Sequence, residues 1–70
     1  MVEKTIELTG NSANSIEDAV SLAVSRAAVT IESICRADVV DISANIEDGV
    51  VARWRVKVKI TFTVQDRLHE

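Results

Sequence analysis

The chain has 70 residues, with 11 Asp or Glu, 8 Lys or Arg and a formal net charge of −3. A domain of this size buries only ~60% of the surface that its unfolded chain exposes, so it is marginally stable alone. Small domains are usually stabilised further by disulfides, structural metals or partner subunits. Because Cys35 and His69 are the single residues of their types, they provide neither an internal disulfide nor a zinc-ligand cluster. We therefore expect self-association.

Composition also argues against several classes of function. The sequence pI near 5.0 does not suit a nucleic-acid partner, which requires a basic surface. No apolar run approaches the ~20 residues of a membrane span, and the first residues do not have the pattern of a signal peptide. The sequence offers no nucleophile and base arrangement typical of covalent catalysis. We expect a cytoplasmic protein that is not an enzyme and binds neither nucleic acid nor membranes.

The first half of the chain predicts a strand followed by a helix. Alternation over residues 1–9 predicts a half-buried strand, and the Gly-Asn-Ser sequence at residues 10–12 predicts a turn. The segment from Ser15 to Asp18 has the form of a capping box, which predicts the start of a helix. Apolar residues then recur three or four positions apart, which predicts an amphipathic helix of about five turns that ends near Cys35.

The second half predicts a β-hairpin. Residues 39–46 and 51–64 read as strands, and Asp48 and Gly49 mark the turn between them. The second strand alternates strictly between two rows. The apolar row, predicted to face the core, is Trp54, Val56, Val58, Ile60, Phe62 and Val64. The polar row is Arg53, Arg55, Lys57, Lys59, Thr61 and Thr63.

The register of the hairpin follows from this alternation. A two-residue turn would place apolar residues of the first strand opposite Arg53 and Arg55. A loop one residue longer places them opposite apolar residues, because a slip by one position exchanges the two faces of a strand. We therefore predict the longer loop, with Gly49 at or beside a bulge. The predicted pairs are Ala44 with Trp54, Ile42 with Val56, Val40 with Val58 and Asp41 with Lys57.

Together these elements predict one α+β domain over residues 1–70 with the order β-α-β-β. One amphipathic helix packs on a strongly bent, three-stranded antiparallel sheet. A strand as long as residues 51–64 spans roughly 45 Å, whereas a globule of this length has a radius of gyration of about 11 Å. The strand must therefore bend or project beyond its own subunit, and either outcome again points to an assembly.

Four short segments carry a resemblance to a known family. They are Leu8-Thr9-Gly10-x-Ser12, Arg26-Ala27-x-x-Thr30, Ala37-x-Val39-Val40-Asp41 and Phe62-x-Val64. In this order and spacing they resemble the dodecins over essentially the whole chain. The resemblance implies a β-α-β-β subunit that assembles through trimers into a hollow homododecamer, in a family most of whose members are known for binding flavins.

The sequence departs from the family at the flavin site. The resemblance places there a Trp that stacks on the flavin ring and a Gln that binds the ring edge, and these positions hold Arg36 and Arg55. With Asp41 they are our candidate ligand-binding residues. Arg provides donors only, whereas Gln provides a donor and an acceptor, so the substitution disfavours flavin. The chain looks closer to a divergent branch that lacks both residues and includes a calcium-binding dodecin.

The charged residues allow several interpretations. Arg36 and Arg55 either form an anion site for a phosphate-bearing ligand or join an intersubunit ion-pair network with Asp38, Asp41 or Glu47, and we favour the network. The basic residues of the last strand are Arg53, Arg55, Lys57 and Lys59. They are more readily explained as a charged face that pairs with acids of neighbouring strands than as a nucleic-acid-binding surface.

Metal binding and thiol chemistry are the remaining alternatives. Asp38, Glu47 and Asp48 are candidate calcium ligands, although calcium takes six to eight oxygens and no run in this chain supplies them. Cys35 is expected to be a small buried apolar residue rather than a reactive thiol.

The leading functional hypothesis is a noncatalytic homododecameric cage that binds, buffers or stores a small ligand or ion. The alternative is a flavin-binding or flavin-storing dodecin, for riboflavin, FMN or FAD, with an altered site. A purely structural assembly without a ligand is the third hypothesis.

Overall fold

The computed structural model describes residues 1–64. Its elements are β1 (Val2–Ser12), α1 (Ile16–Ala28), β2 (Ile34–Glu47) and β3 (Val50–Val64). The strands form one sheet in the order β1-β3-β2, and both pairings are antiparallel. The predicted α+β fold and its β-α-β-β order are therefore confirmed. His69 lies outside the described residues.

Strand β1 is longer than predicted because Gly10 does not make a turn. The strand continues to Ser12, and Gly10 is buried beneath the helix. A Cβ atom at this position would overlap the carbonyl oxygen of Ala19 and lie 3.3 Å from the Cβ of Ala23. The glycine therefore allows strand and helix to approach closely, and the predicted turn at residues 10–12 is wrong.

Helix α1 begins where the capping box predicts. The side chain of Ser15 accepts a hydrogen bond from the Asp18 backbone N–H at 2.9 Å, which satisfies a donor in the first turn. The Asp18 carboxylate accepts a hydrogen bond of 2.7 Å from the hydroxyl of Ser12, and that hydroxyl oxygen also accepts from the Asn14 N–H at 2.9 Å. The end of β1 is thereby tied to the start of the helix.

The helix ends at Ala28, so the predicted extension towards Cys35 is wrong. The N–H groups of Thr30 and Ile31 both donate to the carbonyl of Ala27, and Ser33 adopts a left-handed φ of 64°, a conformation outside the right-handed helical region. Ile31 is half-buried and packs against the core. The apolar spacing therefore continues past the helix because the connecting segment also packs on the core.

The hairpin combines both registers that the sequence allows. Asp48 and Gly49 form a two-residue turn with φ values of 52° and 78°, and two positive values are typical of a type I′ turn. A register shift then leaves Ala52 without a partner. Beyond this bulge the predicted longer-loop register holds for the pairs Ala44 with Trp54, Ile42 with Val56 and Asp41 with Lys57.

Strand β2 contains two further irregularities, at Cys35 and Val40. Val39, rather than Val40, lies opposite Val58, so that predicted pair is wrong. Because each bulge reverses the alternation of the residues that follow it, the start of β2 at Ile34 was hidden from a search for period two.

The core lies between the helix and one face of β3. Val56, Val58 and Ile60 have 0% exposure, while Trp54 and Phe62 on the same row are half-buried. The helix buries three alanines in this contact, Ala19, Ala23 and Ala27, and its partly buried Ile16, Val20 and Val24 pack around them. Within the described residues no helix is long and apolar enough to cross a membrane.

The chain is elongated, with extents of 58 × 19 × 13 Å. Its radius of gyration of 14.9 Å exceeds the ~11 Å expected for a compact globule of this length. Strand β1 ends opposite Trp54, so residues 45–53 continue as a two-stranded ribbon, which we call the hairpin arm. The sequence allowed the long strand either to bend or to project beyond its own subunit. The 58 Å extent supports a hairpin that projects.

Candidate ligand site on the sheet

The sheet has an inner face, which packs on the helix, and an outer face turned away from it. The basic row of β3 lies on the outer face, and all four of its side chains are exposed: Arg53, Arg55, Lys57 and Lys59. The sequence predicts that all four residues have the same kind of neighbours. The register of the neighbouring strands divides it into two different halves.

The lysine half lies among acidic residues. Lys57 is opposite Asp41 on β2. Lys59 lies between Glu7 on β1 and Asp38 on β2. Opposite charges across adjacent strands are a favourable arrangement, so this half agrees with the prediction of a face paired with acids.

The arginine half lies among neutral polar residues. Arg53 is opposite Asn45, and Arg55 lies between Asn11 on β1 and Ser43 on β2. The Ser43 hydroxyl donates a hydrogen bond of 3.5 Å to the backbone carbonyl of Arg55. The prediction of acids opposite each cation therefore does not hold for Arg53 and Arg55.

Arg36 is engaged with a carboxylate of its own strand. Its Nε atom donates to the two oxygens of Asp38 at 3.3 and 3.2 Å, and this is the one ion pair within residues 1–64. Both side chains are well exposed, at 69% and 48%. An exposed pair of this kind contributes less than about 1 kcal/mol to stability.

The three predicted ligand-binding residues share the outer face but not one location. Arg36 pairs with Thr61, which is six positions along β3 from Arg55, or about 20 Å at the rise of a strand. Asp41 lies nearer to Arg55, diagonally across the two strands. A single chain therefore brings Asp41 towards Arg55 and leaves Arg36 apart.

The candidate calcium ligands are also separated. Asp38 is nine positions along β2 from Glu47, which corresponds to about 30 Å, and Asp48 is in the adjoining turn. Among residues 1–64 no group of three or more His, Cys, Asp or Glu side chains is placed to hold a metal ion. One described chain does not supply the six to eight oxygens that calcium requires.

Cys35 is exposed, contrary to the prediction of a buried residue. It occupies one of the β2 bulges, and its thiol lies 3.6 Å from the carbonyl oxygen of Thr61. The prediction placed Cys35 at the end of the helix, whereas the helix ends at Ala28 and Cys35 lies in β2.

A groove of about 480 Å³ lies between β1 and α1. Its walls include Leu8, Leu22, Arg26 and Val29, of which Val29 is 76% exposed. Sequence reasoning missed this groove. The signal that could have indicated it is the presence of Leu22 and Val29 outside the apolar stripe of the helix.

Comparison with known proteins agrees with this fold. The family model for Dodecin matches residues 2–65. The chain belongs to the dodecin family. No match is found among curated proteins by sequence.

Solved structures of dodecins superpose closely on this chain. A Thermus thermophilus protein is 28% identical, with a TM-score of 0.89 over 93% of this chain and 96% of that one. Dodecin from Streptomyces coelicolor is 32% identical, with a TM-score of 0.88 and 93% of each chain covered. The calcium dodecin of Mycobacterium tuberculosis, described as having a novel calcium-binding site, is 27% identical, with a TM-score of 0.81 over 96% of each chain.

Arg36 and Arg55, at the positions where the sequence resemblance predicts the flavin contacts, do not suit that ligand. Arg36 provides no apolar ring, and its guanidinium is bound to Asp38. Arg55 presents donors only, so the acceptor that a Gln would offer to the ring edge is missing.

Proposed function

We propose that this chain is a subunit of a noncatalytic homododecameric cage, built from trimers, that binds a small ligand or ion. The observation that carries the proposal is the apolar surface of the sheet that the helix does not cover. Six large apolar residues of β2 and the hairpin tip are between 46% and 64% exposed: Val39, Val40, Ile42, Ile46, Val50 and Val51. Contiguous apolar patches on small proteins usually mark interaction surfaces.

A second copy of the chain is the occupant that best suits this surface. Three of these residues, Ile46, Val50 and Val51, lie in the hairpin arm of a 58 Å molecule, so this part of the surface can reach beyond its own helix. Membership of the dodecin family supports the same interpretation, and twelve copies would have a mass near 91 kDa, or 12 × 7.6 kDa.

The ligand site in this proposal is shared between subunits. Arg36, Arg55 and Asp41 lie on one face of the sheet, but the two arginines are about 20 Å apart in one chain. Apposed copies would be needed to bring them together. An anionic small molecule suits these side chains better than a flavin, because arginine forms bidentate hydrogen bonds with phosphate and carboxylate groups. Calcium, as in the M. tuberculosis relative, would likewise require carboxylates from several copies.

Light scattering coupled to size-exclusion chromatography tests the assembly. The wild type is expected near 91 kDa, which is 12 × 7.6 kDa, and Ile46→Asp is expected to shift the protein towards smaller species because it buries a charge in the interface. Asn45→Asp is the matched control, because Asn45 is the adjacent, exposed residue on the outer face.

Two outcomes would contradict the proposal. One is a stable 7.6 kDa monomer of the wild type at micromolar concentration. The other is an Ile46→Asp variant that assembles as fully as Asn45→Asp. Absorbance of the same preparation separates the candidate ligands, because a yellow protein with quenched flavin emission would favour a flavin-storing dodecin over our proposal.

A further inference from the structure

The arginine half of the outer face has a composition unlike the rest of the sheet, and we infer that Arg53 and Arg55 form a binding site for a compact phosphate-type anion. This inference deepens the proposed function and rests on it, because it names the class of ligand and moves the site to the arm end of β3. Arg36 takes no part in this site.

The two halves of the row differ in the charge of the residues opposite them. Lys57 and Lys59 have acidic residues directly opposite on neighbouring strands. Arg53 and Arg55 have only Asn and Ser opposite. The nearest acids, Asp41 and Glu47, are two positions further along β2 from those partners.

The geometry of the pair suits one small anion. Arg53 and Arg55 are two positions apart on the same side of the central strand, which places their backbones about 7 Å apart. Each guanidinium presents a planar set of donors that matches phosphate oxygens. The Asn11 and Asn45 amides flank the pair and add neutral donors without introducing charge.

The surroundings favour a compact anion over a long polyanion. Asp41, Glu47 and Asp48 all lie near the pair, and the whole chain has a net charge of −3. A phosphate or diphosphate group is small enough to contact the two arginines and their neutral neighbours without passing over these carboxylates, whereas a nucleic-acid strand would pass over them and be repelled. The shared chemistry is therefore that of a small molecule that bears a phosphate group.

Titration of the assembled protein with inorganic phosphate, followed by isothermal calorimetry or phosphorus NMR, tests this site. The buffer is kept at about 0.01 M ionic strength, where screening is weak. The Arg53→Gln, Arg55→Gln variant is expected to bind phosphate about tenfold more weakly or worse, because it loses charge-assisted hydrogen bonds. Lys57→Gln, Lys59→Gln is the matched control, since it removes the same charge from the same row, and its affinity should stay within about twofold of the wild type.

A conservative variant keeps the test valid if the glutamine pair does not assemble. Arg53→Lys, Arg55→Lys retains the charge and loses the planar set of donors, so its affinity is expected to fall several-fold while its mass is unchanged. Equal losses in the arginine and lysine variants, or no phosphate binding by the wild type at millimolar concentration, would overturn the inference. Tighter binding of a single-stranded oligonucleotide than of phosphate and pyrophosphate would also overturn it.

The mass of every sample separates the two proposals. A dodecamer that does not bind phosphate contradicts the anion site and leaves the cage intact. A monomer that binds phosphate through the arginine pair contradicts the cage and leaves the anion site standing.

Discussion

The two ends of the sheet differ in how far their apolar side chains are buried. At the helix-covered end, three strands and the helix enclose Val56, Val58 and Ile60 completely. At the hairpin end, only two strands remain and residues such as Ile46 and Val51 are 57% and 48% exposed. The comparison indicates that one end of the chain provides its own core, whereas the other leaves apolar side chains exposed, which is the surface that the proposed assembly would cover.

The largest expected effect distinguishes two isoleucines that face the same side of the sheet. Ile60 has 0% exposure and Ile42 has 46%. Ile60→Ala should destabilise the folded subunit by about 4 kcal/mol, because it leaves a cavity in a closed core. Ile42→Ala should act mainly by weakening assembly, so its denaturation midpoint should depend on protein concentration more steeply than that of the wild type.

Urea denaturation of both variants at several concentrations measures this difference. If Ile42→Ala lowers the midpoint as much as Ile60→Ala does, independently of concentration, then the exposed apolar residues of β2 are not an interface and the comparison fails.

A smaller effect separates the two glycines of the chain. Gly10→Ala should cost about 3 kcal/mol, because the added methyl group overpacks the contact between strand and helix against the carbonyl of Ala19. Gly49 has open space around its Cβ position and a φ of 78°, so Gly49→Ala should cost about 1 kcal/mol through backbone strain alone. Thermal unfolding would contradict this order if Gly49→Ala proved the more damaging change.

The smallest expected effect concerns the start of the helix. Ser15→Ala removes the hydroxyl that accepts from Asp18 N–H and should cost about 1 kcal/mol. The matched control is Ser21→Ala, at an exposed position within the helix, which is expected to be neutral or slightly stabilising because Ala has the higher helix propensity. Equal unfolding temperatures for the two variants would show that the cap contributes nothing measurable.

Much of the fold could be predicted because β3 alternates without interruption. Its two rows identified the inner and outer faces, and Ser15 with Asp18 located the start of the helix. Strand β2 was harder to predict because bulges at Cys35 and Val40 reverse its alternation. Gly10 was misleading because a glycine in a sequence marks either a turn or a close approach, and only the position of Ala19 distinguishes them.

The candidate site was less predictable than the fold. Sequence alternation placed Arg53, Arg55, Lys57 and Lys59 on one face, and the predicted hairpin register placed Asp41 opposite Lys57, but the sequence could not show what lies opposite the row on the other side. That information depends on β1, which pairs with β3 across the length of the chain. The division of the basic row into two halves therefore requires the register of all three strands.

The central position of β3 also has a consequence for synthesis of the chain. Both β1 and β2 pair with β3, and Val2 lies opposite Val64. Strand β1 is synthesised first but can pair only after β3 has been synthesised. Contacts between residues so far apart in the chain form slowly. A nascent chain that stops before β3 retains no strand pairing at all, so a truncated product has no partial sheet to shelter its apolar residues and is exposed to proteolysis.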